Sequence, residues 1–423
     1  MPVVRDHVRP GGCSAELEEL WVRTGQRFRW VHLRRGVRAC AHETLAPLIG
    51  RTSRQSAEHA GQYVPAGVQH PVAGACWGPD EVRIALQECV AEKFGDPAGV
   101  LIVDDIGLPE VGTMSSWVRR QRSGTAGRAE KRRIGIFAVY ASPRGCALVD
   151  WELYLPKSGT FDPQGSAEAN LPEERAFATK GDLARAIVMR ALASPLPIAS
   201  VTADSAYGQE RQLRRTLEKA GIGYVLAVPK SQHVSTSGRR IDLVIARAPD
   251  DAWKRHPCGV GANSPHFYDW AAARLPVTDD VDGDAPTHDR WVMARRSSPR
   301  PGEIAYYLAY APTGTAVAEL VSIATSRSAV ERAFQNAKHE CGWISSMFAG
   351  TRAGVATSIL ATLGHAFLAA MAAQRSEGRW RERFRHFVPA RLKDIRRLWP
   401  AGCCRRTSGA GAPVVPLKEP DGP

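Results

Sequence analysis

Three acidic positions of this sequence have the residue types and surroundings for metal-ion chemistry. Asp104 and Asp105 directly follow the apolar run at residues 100–103, and Asp204 follows a strand-like run at residues 198–203. A short, apolar and mostly β-branched run predicts a strand that is buried on both faces. A carboxylate at the end of a buried strand is costly unless a cation pairs with it. The alternative is that these aspartates simply open surface loops, and the residues by themselves leave both interpretations open.

A further carboxylate lies on a predicted helix. One face of this helix carries a carboxylate, an amide and two cations at intervals of four, four and three residues: Arg327, Glu331, Gln335 and Lys338. An ordinary surface charge ladder has the same spacing and is the simpler explanation. Two strand-end carboxylates and a helix carboxylate are nevertheless the set that phosphoryl transfer by two Mg²⁺ ions, about 3.5–4 Å apart, requires. A cation such as Lys338 can hold a phosphate.

The chain carries a surplus of positive charge. It has 56 Lys and Arg residues against 43 Asp and Glu residues, a net charge of +13, which indicates a polyanionic partner, most often nucleic acid. The basic stretch at residues 119–133 is interpreted either as a solvated hairpin loop or, preferably, as a contact to the DNA backbone. The candidate DNA-binding residues in this stretch are Arg119, Arg120, Arg122, Arg128 and Lys131.

Cysteine usage and hydropathy argue against a secreted or membrane protein. The nine Cys residues form no C-x-x-C pair and no Cys/His zinc spacing, which indicates free thiols in a reducing compartment. The N-terminus lacks the apolar segment of a signal peptide. The longest apolar stretch, residues 359–373, is too short to span a bilayer. The sequence therefore predicts a cytoplasmic protein without a membrane partner.

The order of the predicted elements indicates an α/β fold. Three strands are followed by helix, strand, helix and strand, at residues 100–103, 134–140, 147–155, 180–192, 198–203, 209–220 and 224–228. This alternation predicts a mixed β-sheet covered by helices. Residues 230–315 are interpreted as an inserted β-rich segment, with strands at 291–294 and 305–311, and helices resume at about residue 316.

Several stretches of the sequence match one known family in the same order along the chain. Three of them are Gly99-Val-Leu-Ile-Val-Asp-Asp105, Val201-Thr-Ala-Asp-Ser-Ala-Tyr-Gly208 and Val330-Glu-Arg-Ala-Phe-Gln-Asn-Ala-Lys-His-Glu340. The others are residues 122–127, 134–142, 152–156, 177–180, 224–229, 268–271, 305–310 and 365–369. With these stretches the chain resembles DDE transposases of bacterial insertion sequences, most closely the insertion-sequence family seven-oh-one, and the resemblance covers roughly residues 16–400.

This resemblance implies an RNase H-like catalytic core, with a mixed β-sheet flanked by helices and a β-rich insertion before the glutamate helix. It implies that Asp104 (or Asp105 as the alternate), Asp204 and Glu331 are catalytic and hold two Mg²⁺ ions, for which Mn²⁺ can substitute. Related transposases carry Tyr-x2-Arg-x3-Glu-x6-Lys, of which Arg327, Glu331 and Lys338 match, so that the two cations would contact DNA.

The chain also departs from the family pattern. Ala324 stands in the place of the motif tyrosine, Ile106 replaces a threonine, Ser328 replaces a tryptophan, and Glu110-Val111 replace a lysine pair. The first hypothesis is a transposase that binds terminal inverted repeats, cleaves a strand and transfers it. The second is a decayed or repurposed transposase that binds DNA without cutting it. The third is an RNase H-like nuclease that cleaves without joining.

The predicted domain organisation has four parts. Residues 1–15 form a disordered N-terminus, 16–97 a helical DNA-binding domain, and 98–400 the catalytic domain with its insertion at about 230–315. Residues 401–423 form a disordered tail rich in Gly and Pro. The expected partner is double-stranded DNA, bound by a homodimer, in the bacterial cytoplasm at the nucleoid.

Overall fold

The computed structural model describes residues 79–109, 119–122, 129–154, 177–234, 238–260, 265–275, 287–297 and 302–340, with Thr362, His365, Ala366 and Ala369 of a later helix. The predicted segments 1–15 and 401–423 and most of the predicted helical domain 16–97 lie outside these residues. Arg128 lies outside them as well.

The described strands belong to one mixed sheet. The strands are β1 (Val100–Pro109), β2 (Arg119–Arg122), β3 (Ala129–Ser142), β4 (Gly145–Tyr154), β5 (Ser200–Ala203), β6 (Gly223–Val228), β7 (Lys254–Val260), β8 (Pro265–Arg274), β9 (His288–Ser297) and β10 (Ile304–Pro312). Their order is β2-β3-β1-β5-β6-β10-β9-β8-β7, and β4 also pairs with β3. The central strands β1, β5 and β6 are parallel, whereas the outer pairs are antiparallel.

Helices cover both faces of this sheet. They are α1 (Pro79–Phe94), α2 (Lys180–Leu192), α3 (Ser205–Gly208), α4 (Arg211–Lys219), α5 (Ile241–Ile245), α6 (Val317–Thr325) and α7 (Ser328–Glu340). Helices α1 to α4 pack on one face, which we call face A, and α6 and α7 pack on the opposite face, face B. This α/β architecture, with a large mixed sheet between helices, is consistent with an RNase H-like core and confirms the predicted fold class.

Strand β1 illustrates how side chains alternate between the faces. Leu101 and Val103 are fully buried in the core of face A, and Ile102 is fully buried in the core of face B. Successive residues of a strand point to opposite sides of its sheet, so one apolar run contributes side chains to both cores. This two-sided burial explains why residues 100–103 are continuously apolar rather than alternating.

The prediction that this strand ends at the aspartates is wrong. Strand β1 continues through Asp104 and Asp105 to Pro109, because β3 pairs with it along its whole length. Its parallel pairing with β5, however, stops at Val103 opposite Ala203. The two aspartates therefore lie where β1 loses its neighbour on one side.

The predicted β-rich insertion extends the sheet. Strand β10 pairs antiparallel with β6, and β9, β8 and β7 follow in turn. Strands β7 and β8 were not predicted, since their sequences have few apolar residues in a clear alternation. The segment is β-rich as predicted, and it adds to the central sheet rather than forming a sheet of its own.

Helix α1 shares a core with the sheet. Its residues Leu86, Val90 and Phe94 are buried on face A, although the predicted domain division places them in the N-terminal helical domain. An ion-pair network reinforces this contact, because the fully buried carboxylate of Asp150 on β4 pairs with Arg83 of α1 and Arg190 of α2. None of the described helices has the length and apolar character needed to cross a membrane.

Candidate active site

Within the described residues, one acidic group has the geometry to hold a metal ion. Asp104, Asp105 and Asp204 each offer a carboxylate oxygen, and these oxygens all lie within 4.8 Å of one another. The cause is the parallel register of β1 and β5, which aligns Val103 with Ala203. The residues that follow on the two strands, Asp104 and Asp204, therefore emerge side by side at the carboxyl edge.

The two neighbouring aspartates are paired with different cations. Arg327 donates hydrogen bonds from Nε and Nη2 to Asp104 Oδ2, at 3.2 and 3.1 Å, and its Nη2 lies 3.9 Å from Asp204 Oδ2. Lys180 donates from Nζ to Asp105 Oδ2. Because β1 alternates its side chains, Asp104 lies on the side of face B, where Arg327 precedes α7, and Asp105 lies on the side of face A, where Lys180 begins α2.

The electrostatics of the group favour a bound cation. Burial raises the pKa of the Asp104 carboxyl above its ordinary value, and Asp204 raises it further, while Arg327 and the backbone N–H of Asp105 lower it. The attraction of Arg327 therefore does not fully offset the cost of burying this charge. A divalent cation would offset more of it, and carboxylate oxygens are the hard ligands that Mg²⁺ prefers.

Asp204 has a second role in local structure. It is the N-cap of α3, and its Oδ1 accepts a hydrogen bond from the Ala206 N–H at 2.9 Å. Gly208 closes this short helix against β6, where a Cβ at its position would lie 1.9 Å from the Ala227 carbonyl oxygen. The close approach that this glycine allows holds the Asp204 turn against the sheet.

The glutamate helix only partly meets the prediction of a four-residue functional face. Arg327 lies just ahead of α7 and contacts the acidic group, whereas Glu331 lies in the first turn of α7, is exposed, and is not one of the three clustered carboxylates. The helix packs against β3 and β4, and the ring centroids of Phe334 and Phe137 lie 5.0 Å apart. Gln335 is exposed, and the side chain of Lys338 is outside the described part of the structure.

The predicted basic loop is largely a β-hairpin. Arg119, Arg120 and Arg122 lie on β2, and Lys131 lies on β3, where the register pairs Arg119 with Arg132 and Arg120 with Lys131. The structure describes the backbone of these residues and not their side chains. The backbone register therefore places basic residues opposite one another in the two strands.

Sequence reasoning missed two residues at the site. Lys180 is held in place because Thr179 caps α2 in a capping box with Asp182, and its Nζ lies 5.8 Å from the centroid of the Tyr154 ring. Tyr207, one turn beyond Asp204, is fully buried. Both lie in stretches that resemble the family, at residues 177–180 and 201–208, but only the tertiary structure places them at the carboxylates.

Comparison with known proteins identified two matching family models and a related transposase. The model of the DDE superfamily endonuclease family matches residues 28–251, and that of the transposase DDE domain matches residues 176–363. The probable transposase for insertion sequence element IS701 of Microchaete diplosiphon is 21% identical over 223 residues. That alignment covers 52% of this chain and 53% of the relative, so the chain spans about half the length of the curated relative it matches.

These matches extend over the strands and helices that carry the acidic group. The first family match includes Asp104, Asp105 and Asp204, and the second includes Asp204, Arg327 and Glu331. The first match by itself spans more than half of the chain. The chain therefore belongs to the DDE superfamily of endonucleases, and it is similar to the DDE transposases of the IS701-like kind.

Proposed function

We propose that the protein is a transposase that binds the terminal inverted repeats of its insertion sequence and catalyses metal-dependent strand cleavage and strand transfer. The observation that carries the proposal is the juxtaposition of Asp104 and Asp204 at the carboxyl edge of β1 and β5, with their oxygens within 4.8 Å. Membership of the DDE superfamily implies dependence on a divalent metal. We propose further that the metal is Mg²⁺, that two ions bind, and that three carboxylates hold them.

Asp104, Asp204 and Glu331 are the proposed metal ligands. Two bound Mg²⁺ ions would stabilise the attacking and leaving oxygens of an in-line displacement at phosphorus. Glu331 follows Arg327 by one helical turn, and Arg327 already contacts Asp104. In this proposal a movement of the start of α7 brings the Glu331 carboxylate to the group.

Asp105 has a different proposed role. Its carboxylate faces α2 and pairs with Lys180 on the side of the sheet opposite to Arg327. We assign the metal ligand on β1 to Asp104, which shares a cation with Asp204. The Asp105–Lys180 pair would then hold the carboxyl end of β1 against α2 and keep the catalytic edge rigid.

The positive residues supply the proposed DNA contacts. Arg327 would exchange Asp104 for a DNA phosphate when metal binds, and Lys338 would hold a phosphate farther along α7. The β2–β3 hairpin, with Arg119, Arg120 and Lys131 in its paired strands, would contact the backbone of double-stranded DNA. Arg122 and Arg128 belong to the same proposed contact, which a homodimer would make in the cytoplasm at the nucleoid.

The test is cleavage of a duplex that carries the terminal repeat, with Mg²⁺, by wild-type protein and by Asp204→Asn and Glu331→Gln variants. We expect both variants to lose cleavage by several orders of magnitude while still binding the duplex. Glu319→Gln is the matched control, because Glu319 is also an exposed carboxylate in the first turn of a helix, α6. Wild-type rates of cleavage in both site variants would refute the proposed function.

A second candidate function is DNA binding without cleavage. It is favoured by the exposed position of Glu331 outside the three clustered carboxylates, and by Arg327, whose guanidinium neutralises that group internally. Salt-sensitive binding of the terminal repeat with no Mg²⁺-dependent nicking would support this candidate. Nicking without joining in a strand-transfer assay would instead support a nuclease.

A further inference from the structure

Tyr207 has a buried hydroxyl group that finds no hydrogen-bond partner among the described residues. Its side chain is fully buried in the core of face A, on the short helix α3 that Asp204 caps. Its backbone N–H bonds to the Asp204 carbonyl at 3.2 Å, which fixes the residue one turn beyond that aspartate. The phenol oxygen nevertheless finds no acceptor or donor in the described structure.

Other buried tyrosines of the chain are satisfied. The hydroxyl of Tyr140 accepts from the Asp96 N–H at 3.0 Å and donates to the Pro197 carbonyl at 3.0 Å. The hydroxyl of Tyr224 donates to Glu218 at 2.7 Å. A buried polar group without a partner is rare and calls for an explanation such as a functional role or an unseen ion or water.

The surroundings of the Tyr207 hydroxyl are acidic. After burial, the carboxylates of Asp105, Asp204 and Asp104, in that order, raise the pKa of its phenol. The group therefore stays protonated at any physiological pH and can act toward these carboxylates only as a hydrogen-bond donor. A donor of this kind is what a metal-ligating carboxylate needs to keep its orientation.

We propose that Tyr207 is a positioning residue of the metal site, whose hydroxyl donates a hydrogen bond to the Asp204 carboxylate when a divalent cation is bound. The inference rests on the proposed function. Arg327 Nη2 lies 3.1 Å from Asp104 Oδ2 and 3.9 Å from Asp204 Oδ2. A cation bound between Asp104 and Asp204 would displace this guanidinium and leave the Asp204 carboxylate free to accept from Tyr207.

The experiment compares two tyrosine-to-phenylalanine variants of the full chain, Tyr207→Phe and Tyr140→Phe. Binding of Mn²⁺ is measured by isothermal titration calorimetry without DNA, and thermal unfolding is measured in EDTA. For Tyr207→Phe we expect Mn²⁺ affinity to fall roughly 10- to 100-fold, the usual effect of losing a group that orients a metal ligand. Its stability in EDTA should be unchanged or higher, because an unpaired buried hydroxyl is removed.

Tyr140→Phe should show the opposite pattern. It loses satisfied hydrogen bonds, so it should unfold at a lower temperature in EDTA while its Mn²⁺ affinity stays within about twofold of wild type. Wild-type Mn²⁺ affinity in Tyr207→Phe would overturn the inference, and so would a loss of stability in EDTA, since that result would mean the hydroxyl already has a partner. The metal site of the proposed function would instead be refuted if the wild-type protein showed no saturable Mn²⁺ binding, or if Asp204→Asn left that binding intact.

Discussion

Replacing Arg327 with glutamine should separate metal binding from DNA cleavage. The Arg327 guanidinium lies 3.1 Å from Asp104 and 3.9 Å from Asp204, between the two proposed ligands from different strands. It therefore competes with a divalent cation for the same carboxylates. Glutamine retains a hydrogen-bond donor at about the position of the arginine Nε and removes the charge, so a metal no longer has to displace a cation.

The size of this effect can be worked from the contacts. Unit charges about 4 Å apart attract by about 4 kcal/mol at an effective dielectric constant of about 20. The side chain of Arg327 is 39% exposed, so solvent screens much of this attraction. We expect ~1–2 kcal/mol to remain, which corresponds to a change in affinity of about 5- to 30-fold.

The assay is calorimetric titration of Mn²⁺ without DNA, followed by cleavage of a terminal-repeat duplex. Arg327→Gln should bind Mn²⁺ about 5- to 30-fold more tightly and yet cleave more slowly, because its proposed phosphate contact is lost. Arg332→Gln, at an exposed position on α7, controls for the change in net charge. Equal or weaker Mn²⁺ binding by Arg327→Gln would show that this arginine does not compete with metal.

Two further predictions concern stability. Burial raises the folded-state pKa of Asp104 above its ordinary value. The protonated Asp104 carboxyl therefore contributes stability at low pH that is lost as the pH rises through the folded-state pKa. Asp104→Asn should accordingly stabilise the metal-free protein near neutrality. Chemical denaturation in EDTA at pH 7 and at acidic pH checks this, and a lower stability of the variant at pH 7 would contradict it. Asp150→Asn removes the fully buried carboxylate that pairs with Arg83 and Arg190, and should lower the free energy of unfolding by about 3 kcal/mol. A loss below ~1 kcal/mol would show that these arginines find water or other partners.

Much of the central fold could be predicted because its elements have local causes. Residues 180–192 form the predicted helix with the same bounds, since Thr179 and Asp182 supply a capping box ahead of its apolar stripe. The strands at β5 and β6 were predicted to within two residues, because short apolar runs between helices can be buried only in a sheet. The mixed sheet, and the acidic residues that follow the apolar runs at residues 100–103 and 198–203, were predicted from the same patterns.

The remaining features depend on which strands become neighbours. Strand β1 runs past its aspartates because β3 pairs with it, and β7 and β8 exist because β9 offers an edge. Which cation meets which aspartate, Arg327 with Asp104 and Lys180 with Asp105, is set by the two faces of one strand and by helices far apart in the chain.

The chemical types of the site residues were therefore readable from the sequence, and their partnerships were not. Asp104 and Asp204 could be recognised as acidic residues after buried strands, because burial of an apolar run is a local property. The parallel register that joins them, the exposed position of Glu331, and the unpaired hydroxyl of Tyr207 arise from contacts between distant segments. Such contacts are fixed only when the whole sheet assembles, because register and face depend on every neighbouring strand.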